Sequence, residues 1–174
     1  MERWMPTGSF WTQPAGAPHI TAAKGEENIA YVEIDRGPYL VKPTTEAFDN
    51  GERPVNVDIR NMVWLDASKT QLIQSSQAEL KPAIAFLWEE NDLAGYLLKF
   101  PEGFSGNIAC DGDVFHAVLI SGTVNYTMPF TSEILLLDPG SYFTSDNQAK
   151  HFFTVNQESD VLIYIRTNGK LRVE

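Results

Sequence analysis

The side chains of this sequence that are best suited to chemistry are three histidines, one cysteine and a pair of aspartates. They are His19, His116, His151, Cys110, Asp111 and Asp113. Imidazole, thiolate and carboxylate groups are the side chains that hold transition metals, and a tight site needs three or four of them at one point. The strands and turns that carry these residues therefore decide whether they form a site.

Most simple catalytic motifs are missing from the sequence. It contains no Gly-x-Ser-x-Gly nucleophile turn, no P-loop and no Gly-x-Gly-x-x-Gly run. Asp111 and Asp113 belong to a Cys-x-Gly turn, where solvated carboxylates are the ordinary arrangement. Cys110 is the only cysteine, so an intramolecular disulfide is excluded. We expect Cys110 to be a small, partly buried apolar residue.

Composition indicates an ordinary globular protein. The chain has 174 residues, of which 43% are apolar, and its net charge is 13 − 23 = −10. Such a field repels nucleic acid and anionic lipid, so neither is expected as a partner. No apolar run is long enough to span a membrane as a helix. The first residues have no signal-peptide pattern, so we expect a cytoplasmic protein.

Short apolar runs alternate with turns built on Gly, Pro, Asn and Asp. This regular alternation of short apolar runs and turns predicts an all-β protein, either a sandwich or a barrel. One helical turn fits within residues 75–84, before Pro82. The predicted strands are residues 8–13, 28–34, 38–42, 61–66, 70–75, 82–89, 94–100, 114–121, 123–128, 133–137, 151–155 and 160–166.

An internal repeat relates the two ends of the chain. Residues 8–41 align without a gap on residues 140–173, at an offset of 132, and eight of the 34 aligned positions are identical. His19 aligns with His151 in this register. The chain therefore begins with a copy of the segment that ends it. The identical positions in the first copy are Gly8, Ser9, Thr12, Ala17, His19, Glu26, Gly37 and Val41.

The second repeat, whose tail is residues 140–173, resembles the cupin superfamily, the RmlC-like jelly rolls. Residues 101–122 (PEGFSGNIACDGDVFHAVLISG) have the frame of the first cupin motif, and residues 137–153 (LDPGSYFTSDNQAKHFF) have that of the second. His151 occupies the histidine position of the second motif, and His19 occupies it in the opening PAGAPH. The whole chain is similar to a bacterial two-cupin family of unknown function.

The resemblance implies a cupin-like double-stranded β-helix with an N-terminal β-strand arm. Residues 1–42 are then the arm, formed by the tail of a first repeat, and residues 61–174 are the cupin-like domain. Residues 43–60 are polar, carry two prolines and an Asn-Gly, and show no periodicity. They are expected to be a connecting loop or an ordered segment that wraps the barrel.

The sequence departs from the cupin pattern at the metal ligands. Phe115 stands where the first motif has its glutamate, and the His-x-His positions fall on Ala109 and Asp111 or on Ile108 and Cys110. We therefore expect no metal cofactor. The alternative is one divalent transition metal held by His151, Asp111 and Cys110. The expected ligand pocket consists of His151, Phe115, Asp111, Ala117 and Tyr142.

The other two histidines are expected to lie outside this pocket. Strand pleating turns alternate residues to opposite faces, so His116 points outward if Phe115 and Ala117 point inward. His19 lacks the rest of its own repeat and cannot complete a site within this chain.

The arm contains strand sequences whose sheet partners are missing. It can extend a sheet of its own barrel, or it can pair with another chain, and we expect a homodimer formed through the arm. The expected function is a metal-poor module that binds a small molecule or a partner subunit, without strong catalytic activity. The alternatives are a metal-dependent dioxygenase or isomerase with a degenerate ligand set, and an inactive structural half of a larger assembly.

Overall fold

A computed structural model describes residues 4–34, 37–74, 80–146, 148–156 and 160–174. The chain divides into two compact units, residues 1–59 and residues 60–174. The all-β prediction is confirmed, because the described residues form twelve strands and two short 3-10 turns and no α-helix. No helix in the described part of the chain is long and apolar enough to cross a membrane.

Residues 60–174 form two five-stranded antiparallel sheets. Sheet A has the strand order β3-β4-β11-β6-β9, and sheet B has the order β12-β5-β10-β7-β8. The strands of sheet A are β3 (Ala83–Glu90), β4 (Leu93–Phe100), β6 (Phe115–Ser121), β9 (Tyr142–Ser145) and β11 (Val161–Thr167). Those of sheet B are β5 (Ser105–Cys110), β7 (Val124–Thr127), β8 (Ile134–Leu137), β10 (Lys150–Val155) and β12 (Leu171–Val173).

The core lies between the inner faces of these sheets. Strand alternation turns Phe115, Ala117 and Leu119 of β6 inward, and all three are buried. Phe100, Phe104 and Phe153 form an aromatic cluster, in which the rings of Phe100 and Phe153 meet edge to face at 4.9 Å. Burial of these side chains supplies the main favourable free energy of folding.

Residues 1–59 contain much less regular structure than their sequence predicts. The predicted strand 8–13 contracts to β1 (Phe10–Trp11), which pairs with β2 (Asn56–Val57). The predictions of strands at 28–34 and 38–42 are wrong, because none forms there. Strand-forming side chains do not make a strand unless a neighbouring strand takes their backbone hydrogen bonds.

The segment 43–59 is an ordered part of the first unit. It contains a 3-10 turn (Thr44–Glu46) and β2, and a second 3-10 turn (Ile59–Asn61) follows. The Phe48 N–H donates to the Gly16 carbonyl at 3.1 Å, and the Phe48 ring would lie 2.7 Å from a Cβ on Gly16. Gly16 has a φ of +79°, so a side chain there is excluded by both space and backbone conformation.

Two further strand predictions, between residues 61 and 75, differ from the structure. The predicted strands 61–66 and 70–75 reduce to isolated bridges at Leu65 and Ile73. Residues 75–79, which carry most of the predicted helical turn, lie outside the described residues, and β3 begins at Ala83. Conversely, β5, β9 and β12 were not predicted, because glycine and polar residues interrupt their apolar pattern.

Candidate functional site

Four strands from both sheets position a cluster around His151. His151 lies on β10 and points inward with Phe153, while Tyr126 points inward from the neighbouring strand β7. Phe115 comes from β6 of the other sheet, and β9 contributes Phe143 and Ser145. The cluster therefore joins the two sheets across the interior of the barrel.

Both ring nitrogens of His151 have hydroxyl partners. Nδ1 lies 2.7 Å from the Tyr126 hydroxyl, and Nε2 lies 3.0 Å from Oγ of Ser145. His151 is only 1% exposed, and Tyr126 is also buried, whereas Ser145 is half-buried. This hydrogen-bonded chain, Tyr126–His151–Ser145, thus runs from the core toward the surface.

Aromatic rings surround the imidazole. The Phe115 ring stacks on His151 with 4.5 Å between centroids and 12° between planes. Phe143 lies 5.3 Å from His151 and 4.9 Å from Tyr126. These rings keep water away from the imidazole, so its hydrogen bonds lie in a medium of low polarity.

Burial keeps both ionisable groups of the hydrogen-bonded chain uncharged. It lowers the pKa of His151 to about 4 and raises the pKa of Tyr126 to about 12. A neutral imidazole has one N–H and one acceptor nitrogen. At neutral pH one of the two hydroxyls therefore donates to His151 and the other accepts from it.

The residues around His151 do not fit the transition metal that the cupin resemblance implies. Its two nitrogens are already hydrogen-bonded, and Phe115 occupies the place of the motif's glutamate. Within the described residues, no group of three His, Cys, Asp or Glu side chains is arranged to hold a metal ion. A tight site needs at least three converging ligands.

Cys110 and Asp111, the other two residues of the alternative metal set, have separate structural partners. The buried Sγ of Cys110 contacts the Thr167 hydroxyl and receives the N–H of Gly112 at 3.3 Å. Asp111 is exposed, and its Oδ1 accepts the N–H of Lys170. These contacts tie the turn after β5 to the turn before β12.

The structure brings together only part of the predicted pocket. Phe115 and Ala117 belong to the same buried core as His151. Tyr142 lies on the other face of β9 and is 50% exposed, and its hydroxyl is hydrogen-bonded to Nδ1 of His116. His116 therefore points outward, as predicted. The exposed Asp111 is likewise not among the contacts of His151.

His19 lies in an exposed, irregular part of the first unit. Its Nδ1 is 3.3 Å from the carbonyl of Ala17, two residues away. Although His19 aligns with His151 in the repeat, it is not on a strand.

Apart from Phe115, the residues that contact His151 most directly were not among the predicted site residues. Tyr126 could have been found from the alternation Val124-Asn125-Tyr126-Thr127, which places Val124 and Tyr126 on one face. Ser145 and Phe143 lie on a short strand without a continuous apolar pattern. Their position depends on the pairing of β9 with β6, which local sequence does not reveal.

The full length of the chain, residues 1–174, matches a family described as a domain of unknown function, DUF4437. The chain belongs to this family. No curated protein matches it. Membership of DUF4437 assigns no specific activity to the chain.

The solved structures similar to this DUF4437 chain include proteins described as cupins. A cupin 2 conserved barrel domain protein from Rhodopseudomonas palustris matches with a TM-score of 0.51 and 13% identity, covering 68% of this chain and 78% of that one. The polyketide cyclase RemF from Streptomyces resistomycificus matches with a TM-score of 0.50 and 9% identity, covering 64% and 76%. At these identities the likeness confirms the cupin-like fold alone.

Proposed function

We propose that this DUF4437 protein is a metal-independent module that binds a small, uncharged molecule at the rim of its cupin-like barrel. The observation that carries the proposal is the Tyr126–His151–Ser145 chain. Its imidazole is hydrogen-bonded through both nitrogens, and its outer end, Ser145, is half-buried. Small-molecule sites commonly combine apolar walls with a few placed polar groups, as this cluster does.

The absence of charge in the cluster decides the class of ligand. His151 and Tyr126 are both neutral near pH 7, because burial moves their pKa values to about 4 and about 12. A charged ligand loses hydration on entering and meets no opposite charge among these groups. The net charge of −10 further disfavours anions.

Ser145 and Phe143 define where such a ligand is recognised. Both are half-buried and share the inward face of β9. Ser145 offers a hydroxyl that can donate or accept, and Phe143 offers a ring for stacking. A neutral aromatic alcohol or phenol fits both groups. Hydrogen bonding through Ser145 then reaches the His151 imidazole.

Phenol, with benzoate as its charged counterpart, tests this proposal. We expect phenol to shift the imidazole NMR signals of His151 in a saturable manner, and benzoate to bind more weakly. Removing one hydrogen bond weakens binding by about 3- to 10-fold, so Ser145→Ala should show a loss of that size.

Ser141→Ala is the matched control, since Oγ of Ser141 is hydrogen-bonded to Asp138 instead. It should leave phenol affinity unchanged. The proposal is wrong if phenol leaves the His151 signals unmoved, or if benzoate binds as tightly as phenol.

A further inference from the structure

The buried end of the Tyr126–His151–Ser145 chain decides the direction of its hydrogen bonds. Tyr126 is only 4% exposed, and within the described residues its hydroxyl has a single hydrogen-bond partner, Nδ1 of His151 at 2.7 Å. Buried hydroxyl hydrogens are donated in the great majority of proteins, because one left without an acceptor costs about 1–3 kcal/mol. The Tyr126 hydroxyl therefore donates to His151.

The direction of this bond fixes the tautomer of the imidazole. Burial raises the pKa of Tyr126 to about 12, so the hydroxyl keeps its proton at neutral pH. A ring nitrogen that accepts a hydrogen bond carries no hydrogen of its own, and a neutral imidazole has one N–H. The hydrogen of His151 therefore lies on Nε2, which is 3.0 Å from Oγ of Ser145. The opposite tautomer would leave the Tyr126 hydrogen without an acceptor among the described residues.

Ser145 accepts a hydrogen bond from His151 and donates at the outer end of the chain. Because its oxygen receives the Nε2–H of His151, its own hydroxyl hydrogen points away from the imidazole. The described part of the protein supplies no second partner for this half-buried hydroxyl. Successive hydrogen bonds polarise one another, so the Nε2–H bond makes the Ser145 hydroxyl a stronger donor.

We propose that the site at Ser145 selects neutral aromatic ligands that carry a carbonyl oxygen, namely aryl ketones, aldehydes and esters. This inference rests on the proposed function, since it names the ligand class of the same site. The ligand carbonyl accepts the Ser145 hydrogen, and its aryl ring packs against Phe143, which shares the inward face of β9 with Ser145. A ligand that can only donate leaves the Ser145 hydrogen unpaired and therefore binds more weakly.

Tyr126 acts on such a ligand as a positioning residue, without touching it. Two hydrogen bonds separate its hydroxyl from the hydroxyl hydrogen of Ser145. Replacing Tyr126 by phenylalanine removes the bond that holds the imidazole hydrogen on Nε2. The Ser145 hydroxyl can then donate to Nε2 instead of to the ligand, so selectivity for a carbonyl falls.

Acetophenone and α-methylstyrene form a matched pair of ligands, because they have the same shape and differ only in C=O against C=CH₂. Titration calorimetry of the full chain gives the ratio of their dissociation constants, α-methylstyrene over acetophenone. We expect Ser145→Ala to lower this ratio by about 3- to 10-fold, the effect of one hydrogen bond. The hydration of each free ligand is the same for both proteins and cancels. Ser141→Ala is the control and should leave the ratio unchanged, because Oγ of Ser141 is hydrogen-bonded to Asp138.

Tyr126→Phe distinguishes a positioning role from a structural one. If the two tautomers become equally populated, half of the molecules can donate to the ligand, so we expect the ratio to fall at least about twofold. A purely structural role for Tyr126 weakens both ligands equally and leaves the ratio unchanged, which would overturn the role given to Tyr126.

The ¹⁵N NMR spectrum of His151 in the ligand-free protein tests the tautomer separately. We expect a protonated Nε2 and an unprotonated Nδ1. A protonated Nδ1 overturns the inference even where phenol binds as the proposed function requires. An equal ratio of dissociation constants in the wild type and in Ser145→Ala also overturns it. If neither phenol nor acetophenone binds, the proposed function fails as well, whichever nitrogen is protonated.

Discussion

Replacing His151 by alanine is expected to lower the free energy of unfolding by about 3–4 kcal/mol. Removing a buried ring leaves a cavity beside Phe115, and large-to-small core substitutions of this size cost about 3–5 kcal/mol. The Tyr126 hydroxyl also loses its partner in a buried position, which costs about 1–3 kcal/mol where water does not replace it.

Urea unfolding followed by near-UV circular dichroism measures this loss. His116→Ala is the matched control, because His116 is a partly exposed histidine whose partner Tyr142 is 50% exposed. It should cost less than about 1 kcal/mol. A His151→Ala loss no larger than that of His116→Ala contradicts the assignment of His151 to a packed, hydrogen-bonded cluster.

The stability of the protein is expected to fall as pH drops from about 6.5 to about 4, partly because of His151. The folded state lowers the pKa of His151 from 6.5 to about 4. Between these values the unfolded chain binds a proton that the folded chain does not, so stability rises with pH. Across this pH range the shifted pKa of His151 lowers the free energy of unfolding by about 3 kcal/mol. Below about pH 4 the contribution of His151 becomes constant.

Carboxylates titrate in the same range, so the measurement compares two proteins. His151→Gln does not titrate and keeps groups that can hydrogen-bond to Tyr126 and Ser145. Urea unfolding of both proteins from pH 4 to pH 7 isolates the difference. We expect the wild type to lose about 3 kcal/mol more than His151→Gln on acidification. Parallel pH curves for the two proteins contradict a depressed histidine pKa.

Within residues 60–174, the strands that could be predicted from sequence are those whose side chains alternate between apolar and polar or form a continuous apolar run. The runs that became β3, β4, β6 and β11 were each found to within one or two residues. Burial on one or both faces enforces these patterns. The unpredicted strand β5 carries Ser105, Gly106 and Asn107, and its pairing with β10 comes from distant residues instead.

The arm shows the opposite error. Residues 28–34 have the composition of a strand because they copy the segment that forms β11, yet a strand requires neighbours. The copied segment has such neighbours, because β11 lies between β4 and β6 in sheet A. Local sequence indicates which segments prefer the strand conformation, but it does not indicate whether neighbouring strands are available to pair with them.

The candidate site was predicted only at its centre. His151 and Phe115 were found through the motif frames, and the structure places them in a stack. Tyr126 and Ser145 lie 25 and 6 residues from His151, and strand register alone sets their contacts with it. Tyr142 was also predicted to line the pocket, but the pleat of β9 turns it outward, away from Phe143 and Ser145.

The imidazole ¹⁵N NMR spectrum of His151, recorded at neutral pH before and after addition of EDTA, tests most directly whether this histidine is a hydrogen-bonded group and not a metal ligand. We predict a neutral ring with one protonated and one unprotonated nitrogen, and signals that do not move on chelation. His151 signals that shift when EDTA is added would show that the imidazole holds a metal, and would contradict the account.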